Sequence, residues 1–327
     1  MPSFASILNP GQGIPNPQAI QVYYTTSTRH LGIQLRDGAT DNDRLHPNFC
    51  STTAQPVGVI VNPSQLTSTR MAGMNAVFGF TEQTGSKTLV DISLVSPVFQ
   101  KIRSTEYINK TISSSFSSQK TWIYYLKGTD QSTISISELE VGPRIGNILN
   151  VAEDLVGEEP TGEAPTGEAP VDAPGVGGLK LVILDVDNVR LGSSLAAYFD
   201  PDANRRYIIY QHKQPRSGEN KNLYEWDITA ATGKRIDTGS TAIKTSIAVV
   251  YWNRKVYLYY VDESHDLRTI IKTSGVWGTS AVVPGVPKVN ETSQISALYT
   301  SNGGNAIHVF YSDSDSEEST VHLRLPV

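Results

Sequence analysis

Tyr207, Glu225, Tyr257 and His308 are among the side chains whose types could orient a bound molecule and polarise a carbonyl or hydroxyl group in it. Gln21, Trp122, Trp252 and Trp277 would add apolar faces and hydrogen-bonding edges, the usual make-up of a small-molecule or glycan pocket. The sequence calls for no cofactor and no metal. Its six histidines show neither HxH nor HExxH spacing, and Cys50 is the sole cysteine, so there is no disulfide framework, thiolate cluster or redox pair. The alternating acids of Asp313-Ser-Asp315-Ser-Glu317-Glu318 lack the glycine at the sixth position and the glutamate at the twelfth that a calcium loop requires. Neither a GxSxG elbow nor a glycine-rich phosphate loop is present.

The elements that must position these residues are short runs of Val, Ile, Tyr, Thr and Phe separated by turn clusters such as Asn302-Gly303-Gly304-Asn305. Almost nothing has a sustained helical period. One unit recurs six times, an apolar strand ending in large or aromatic residues, then a polar turn, then a second strand: IQVYY, NAVFGF, TWIYY, RYIIY, VYLYY and AIHVFY. Their last aromatics are Tyr24, Phe80, Tyr125, Tyr210, Tyr260 and Tyr311, spaced 56, 45, 85, 50 and 51 residues apart. A repeat of roughly 50 residues with three or four strands is a β-propeller blade, so the expected fold is all-β, a six-bladed propeller. In the fifth unit the strands are expected at 246–252, 255–261, 267–273 and 277–283. The segment Ser3 to Leu8 either completes the sixth blade or forms the innermost strand of the first.

The long gap contains residues 152–178, rich in Pro, Gly and Glu, which cannot bury apolar surface and read as a flexible insert within the third blade. The chain, 1–327, is therefore expected to be a single domain. Its net charge of −5 belongs to the insert, since residues 152–179 hold seven acids and no base, leaving +2 on the remainder. That balance argues against nucleic acid or an anionic membrane as partner. Met1 to Gln18 lacks an apolar h-region, which reads as a cytoplasmic protein. Oligomeric state stays open.

The fifth unit, Ser246-Ile-Ala-Val-Val-Tyr-Trp252 followed by VYLYY, Leu267-Arg268 and Gly275-Val-Trp277, resembles a blade of the fungal fucose-specific lectins. The fourth unit adds SSLAAYF, IIYQ and Leu223-Tyr224-Glu225. The resemblance implies six blades with sugar sites between them, where an Arg from the second strand and a Glu from the third hold sugar hydroxyls and an aromatic ring packs on the sugar's apolar face. Here the Arg position is Gln21, Trp122, Tyr207, Tyr257 and His308, and apolar in the second unit, while the Glu position is kept only as Glu225. The scaffold is retained and the fucose set lost. Separately, Leu181-Val-Ile-Leu-Asp185-Val-Asp187 resembles the DxD start of haloacid-dehalogenase-type phosphotransferases, but β repeat follows it where an α/β sheet is required.

A lectin-like propeller that has exchanged sugar-binding arginines for Trp, Tyr and His also resembles the hetero-Diels-Alderases of tropolone-sesquiterpenoid pathways. That resemblance implies a cofactor-free biosynthetic enzyme joining a tropolone quinone methide to a terpenoid alkene, with Tyr207, Glu225, Tyr257 and His308 catalytic and Gln21, Trp122, Trp252 and Trp277 binding substrate. The alternatives are a carbohydrate-binding lectin of non-fucose specificity and a protein-interaction propeller.

Overall fold

The computed structural model describes residues 3–9, 18–39, 49–50, 59–71, 73–83, 85–106, 110–141, 179–186, 188–213, 222–315 and 320–327. They form six antiparallel sheets of consecutive strands. Blade 1 is β1 (Phe4–Leu8), β2 (Ile20–Thr25), β3 (Leu31–Arg36) and β4 (Phe49–Cys50). Blade 2 is β5 (Leu66–Met71), β6 (Met74–Glu82), β7 (Leu89–Ser96) and β8 (Gln100–Glu106). Blade 3 is β9 (Ile112–Phe116), β10 (Thr121–Lys127), β11 (Ser135–Val141) and β12 (Leu179–Leu184). Blade 4 is β13 (Leu195–Asp200), β14 (Arg205–Gln211), β15 (Leu223–Asp227) and β16 (Thr232–Ile236). Blade 5 is β17 (Ile247–Trp252), β18 (Lys255–Val261), β19 (Leu267–Thr273), β20 (Val276–Trp277) and β21 (Ala281–Val282). Blade 6 is β22 (Ser296–Thr300), β23 (Ala306–Ser312) and β24 (Thr320–Pro326). The six-bladed propeller is the fold anticipated from the repeat.

The aromatic-rich second strands are buried on both faces because each blade is pressed between two others. Six apolar clusters result, each drawn from two neighbouring blades: Phe78 and Phe80 meet Ile123 and Tyr125, and Leu258 and Tyr260 meet Ile209 and Ile236. Likewise Tyr257 and Tyr259 meet Ile307 and Val309. Alternation along a strand thus sends Tyr257 toward blade 6 and Tyr260 toward blade 4. Burying tyrosines requires partners for their hydroxyls, and Tyr311 donates to the Pro287 carbonyl at 2.7 Å.

The N-terminal strand is the innermost of blade 1, paired in register from Phe4 with Tyr24 to Leu8 with Ile20. Closure therefore relies on side-by-side packing of β1 and β22, joined by the hydroxyls of Ser6 and Ser296 at 2.7 Å. Blade 5 follows the expected spans except at its outer edge. There the outer strand is two short pieces, interrupted where Ser280 turns its hydroxyl to Arg268 at 2.9 Å and to Tyr260. Asn253 and Arg254, both at positive φ, form the two-residue loop between paired Trp252 and Lys255, the geometry that suits a twisted hairpin. β12 pairs with β11 from Leu179 opposite Val141 to Leu184 opposite Ile136, so the run after the acidic segment is the outer strand of blade 3. The insert 152–178 and Asp187 lie outside the described residues.

Candidate functional site

Strand register defines which residues are equivalent from blade to blade. Opposite Tyr124 in blade 3 stands Glu138, and opposite Ile209 in blade 4 stands Glu225. Both are one pair away from the terminal aromatics Tyr125 and Tyr210, so Glu138 holds the same place as Glu225. The turn between second and third strands is two residues shorter in blade 3, which hides this equivalence in the linear sequence. By the same register Thr269 and His322 take that place in blades 5 and 6. Trp122, Tyr207, Tyr257 and His308 occupy the companion position on the second strand.

At the boundary of blades 4 and 5, the Glu225 carboxylate accepts from the Lys272 ammonium at 2.7 Å and from the Tyr198 hydroxyl at 2.6 Å. Lys272 comes from β19 of the next blade, and its ammonium lies 4.7 Å from the centre of the Tyr207 ring and 5.7 Å from that of Trp277. The ion-paired side chains are only 12% and 5% exposed. Tyr207 stacks on Tyr198 at 4.8 Å. Burial and the neighbouring Glu225 carboxylate push the Tyr198 phenol far above its ordinary range, which keeps it a hydrogen-bond donor. The Trp277 indole N–H, also buried, has no partner among the described residues. The niche thus combines a carboxylate, an ammonium, an indole donor and aromatic faces.

The boundary of blades 3 and 4 repeats this arrangement with different residues. Glu138 pairs with Arg206, which belongs to β14 of the following blade and stacks its guanidinium 4.9 Å from the centre of the Trp122 ring. Phe199 stacks on Trp122 at 5.8 Å, and the indole N–H donates to Glu140 at 3.3 Å. Lys120 pairs with that same Glu140 at 2.6 Å.

At the ring closure, His308 and His322 take the two equivalent positions in blade 6, with His308 Nδ1 2.7 Å from His322 Nε2. Burial, with His308 and Arg36 nearby, lowers the His322 pKa to about 3. Arg36 holds the same register position in blade 1, opposite Ile20, as Lys272 does opposite Val256. Three boundaries therefore carry a cation from the following blade.

The remaining boundaries are less polar. Gln21 accepts from Tyr23 at 2.9 Å and from Asn75 of blade 2 at 2.7 Å. Trp252 stacks on Tyr299 at 4.5 Å, and Tyr257 packs with Ile307 and Val309. In blade 2 a one-residue offset in the β5–β6 register places Gly79, not Phe80, opposite the first residue of the inner strand, and the β6–β7 pairing is bulged between Val77 and Phe78.

Tyr207, Glu225 and Trp277 are thus brought together, whereas Tyr257 and His308 lie at two other boundaries. A single reaction chamber built from Tyr207, Glu225, Tyr257 and His308 is not formed, because alternate strand faces and separate blades divide the four. Sequence reasoning missed Glu138, Arg206, Lys272, His322 and Arg36. Strand-pair counting would reveal Glu138 and His322, while the cations come from neighbouring blades and carry no local signal.

A separate cavity of about 650 Å³ occupies the propeller axis, lined by the six inner strands. Its walls include Tyr198 and Tyr251 but neither Tyr207 nor Tyr257.

No family model matches the chain. Two relatives, each described as a wall-associated proteinase, come from Coccidioides posadasii (strain RMSCC 757 / Silveira) and Coccidioides immitis (strain RS). Each is 24% identical, over 274 and 280 residues, covering 80% of this chain and 77% of the relative. Among solved structures, AofleA from Arthrobotrys oligospora superposes with a TM-score of 0.60 at 12% identity, over 100% of this chain and 87% of that one. The fucose-specific lectin from Aleuria aurantia gives 0.61 at 14%, over 99% and 96%. With this sheet order, these likenesses make the chain an all-β six-bladed propeller whose structural neighbours include fungal fucose-specific lectins.

Proposed function

We propose that the protein is a carbohydrate-binding propeller of non-fucose specificity, with sites at the boundaries of blades 3 and 4 and of blades 4 and 5. The observation that carries this reading is the Lys272 ammonium on the Glu225 carboxylate beside Tyr207 and Trp277. Vicinal hydroxyls need both a donor and an acceptor, and an ammonium–carboxylate pair offers one of each while an aromatic face covers the C–H side of a sugar ring. An arginine at the second-strand position is replaced by an aromatic residue, and the positive charge enters instead from the following blade. Moving the charge by a strand changes which pair of hydroxyls it can reach, which favours a sugar other than fucose.

A glycan of that kind is the partner expected here, in line with the fucosides bound by the Aleuria aurantia lectin. The cofactor-free enzyme reading gains no comparable support, because its four proposed catalytic residues do not converge. The test is a glycan array probed with the purified chain. Retention of a defined set of non-fucosylated glycans is expected, and silence across the array overturns the reading.

A further inference from the structure

We propose that the open mouth of the central channel, around Arg70, is a second binding site, for a small aryl carboxylate. Two rows of the inner strands line the channel, all but Ser6 partly exposed. The inner row is Ser6, Ser68 and Ser114 on blades 1 to 3, and Ala197, Val249 and Ala297 on blades 4 to 6. The outer row is Leu8, Arg70, Phe116, Phe199, Tyr251 and Tyr299. Four aromatic rings and one guanidinium therefore ring the mouth, and Phe116 is 45% exposed.

The opposite end of the channel is closed. Phe4, Leu66, Ile112, Leu195, Ile247 and Ile295 form a buried apolar ring there. Gln294 reaches across it, accepting from the Phe4 N–H at 3.2 Å and the Leu66 N–H at 3.0 Å and donating to the Leu66 carbonyl at 2.7 Å. Gln65 does the same on the other side, from Ser194 at 2.9 Å to the Ile112 N–H at 3.3 Å. The channel is thus a cup with an apolar floor, a wall half hydroxyl and half aliphatic, and an aromatic rim.

Charge selects the occupant. Arg70 is the one charged side chain among the described residues that line the cavity. Asp202, which meets the rim through Tyr251, accepts from that hydroxyl at 2.9 Å and pairs with Arg254 at 3.4 Å. The wall serines are spent on neighbouring strands: Ser68 donates to the Ser6 carbonyl at 3.0 Å and Ser114 to the Ser68 carbonyl at 3.2 Å. A planar guanidinium matches a carboxylate in a forked pair, and one such cation balances one negative charge. The rings of Phe116, Phe199, Tyr251 and Tyr299 suit a flat apolar body, and the cavity volume is that of a small-molecule site.

The experiment is calorimetric titration of the full chain with 2-naphthoate and with the neutral 2-naphthalenemethanol. Naphthoate is expected to bind at least tenfold tighter, Arg70→Leu to abolish that preference, and Arg70→Lys to retain part of it. Phe116→Ala should weaken both ligands alike, and Lys234→Ala, on the exposed outer strand of blade 4 and outside the cavity lining, should leave naphthoate binding unchanged. A melting temperature for Arg70→Leu within a few degrees of the parent shows that the variant is folded. Equal affinity for the two ligands, no naphthoate binding, or a preference that survives Arg70→Leu overturns the proposal. Because Tyr207, Glu225, Lys272 and Trp277 do not line the cup, failure here leaves the glycan reading standing, and a silent glycan array leaves this one standing.

Discussion

Lys272 places its ammonium 2.7 Å from the Glu225 carboxylate although the two residues belong to different blades, 47 positions apart. The pair joins blade 4 to blade 5 and supplies the polar centre of the niche bounded by Tyr207 and Trp277. Glu138 with Arg206 does the same one boundary earlier. The proposed binding role thus falls on residues that also join the blades, and the two roles can be separated by experiment.

Breaking the pair from one side leaves a buried charge without its counter-ion. Glu225→Met and Lys272→Met should each destabilise the propeller by about 3 kcal/mol. Replacing both residues by methionine should cost less than the sum of the single changes, with a coupling above about 1 kcal/mol in urea denaturation. Additive effects would show that the ion pair holds nothing together.

His322 sits against His308 and Arg36 with its ring stacked on Phe310 at 4.5 Å, and it stays neutral in the fold because its pKa is lowered to about 3. The unfolded chain takes up this proton near pH 6.5, so between about 6.5 and 3 the unfolded state binds more protons than the native state. This contribution to stability is complete above that window and is lost as the pH falls through it. Denaturation at a series of pH values should show that acid-side loss, and His322→Phe should flatten it. An unchanged slope in the variant would assign the acid sensitivity to other groups.

Gln294 ties the loop before blade 6 to the inner strands of blades 1 and 2. Gln294→Ala would leave two buried N–H groups unpaired, a cost of about 2 to 4 kcal/mol. Hydrogen exchange should accelerate at the Phe4 and Leu66 amides in that variant. Unaltered protection there would place the closure elsewhere.

Gly32 lies opposite Tyr24, and a Cβ on it would fall 2.4 Å from the tyrosine Cζ. Gly32→Ala must displace the ring from blade 1, and a loss of about 1 to 3 kcal/mol is expected from thermal or chemical denaturation. A neutral effect would show that the ring can yield without cost.

How far the sequence reveals these relations depends on whether they are local. The second strands announce themselves because aromatic and β-branched residues recur at the blade spacing, and TWIYY, RYIIY and VYLYY emerge as equivalent strands. Tyr207 and Glu225 were legible through the lectin-like pattern of the fourth unit, and Trp277 through that of the fifth. Lys272 was not, since its partner sits on another blade and nothing near it in the chain differs from a solvated strand edge. Glu138 was masked by a shorter turn, because linear spacing counts loop residues that strand register ignores. The aromatic mouth of the channel escaped notice because Phe116, Phe199, Tyr251 and Tyr299 converge only once the ring is closed.

The central claim is that the niche around Glu225 and Lys272 holds a sugar. Its most direct measurement is calorimetric titration of the best array-selected glycan into the parent chain and into Glu225→Gln and Trp277→Ala variants shown to be folded by circular dichroism. Binding by the parent, with affinity reduced at least tenfold in both variants, is the expected result. Equal affinity in all three proteins would contradict the assignment of the site.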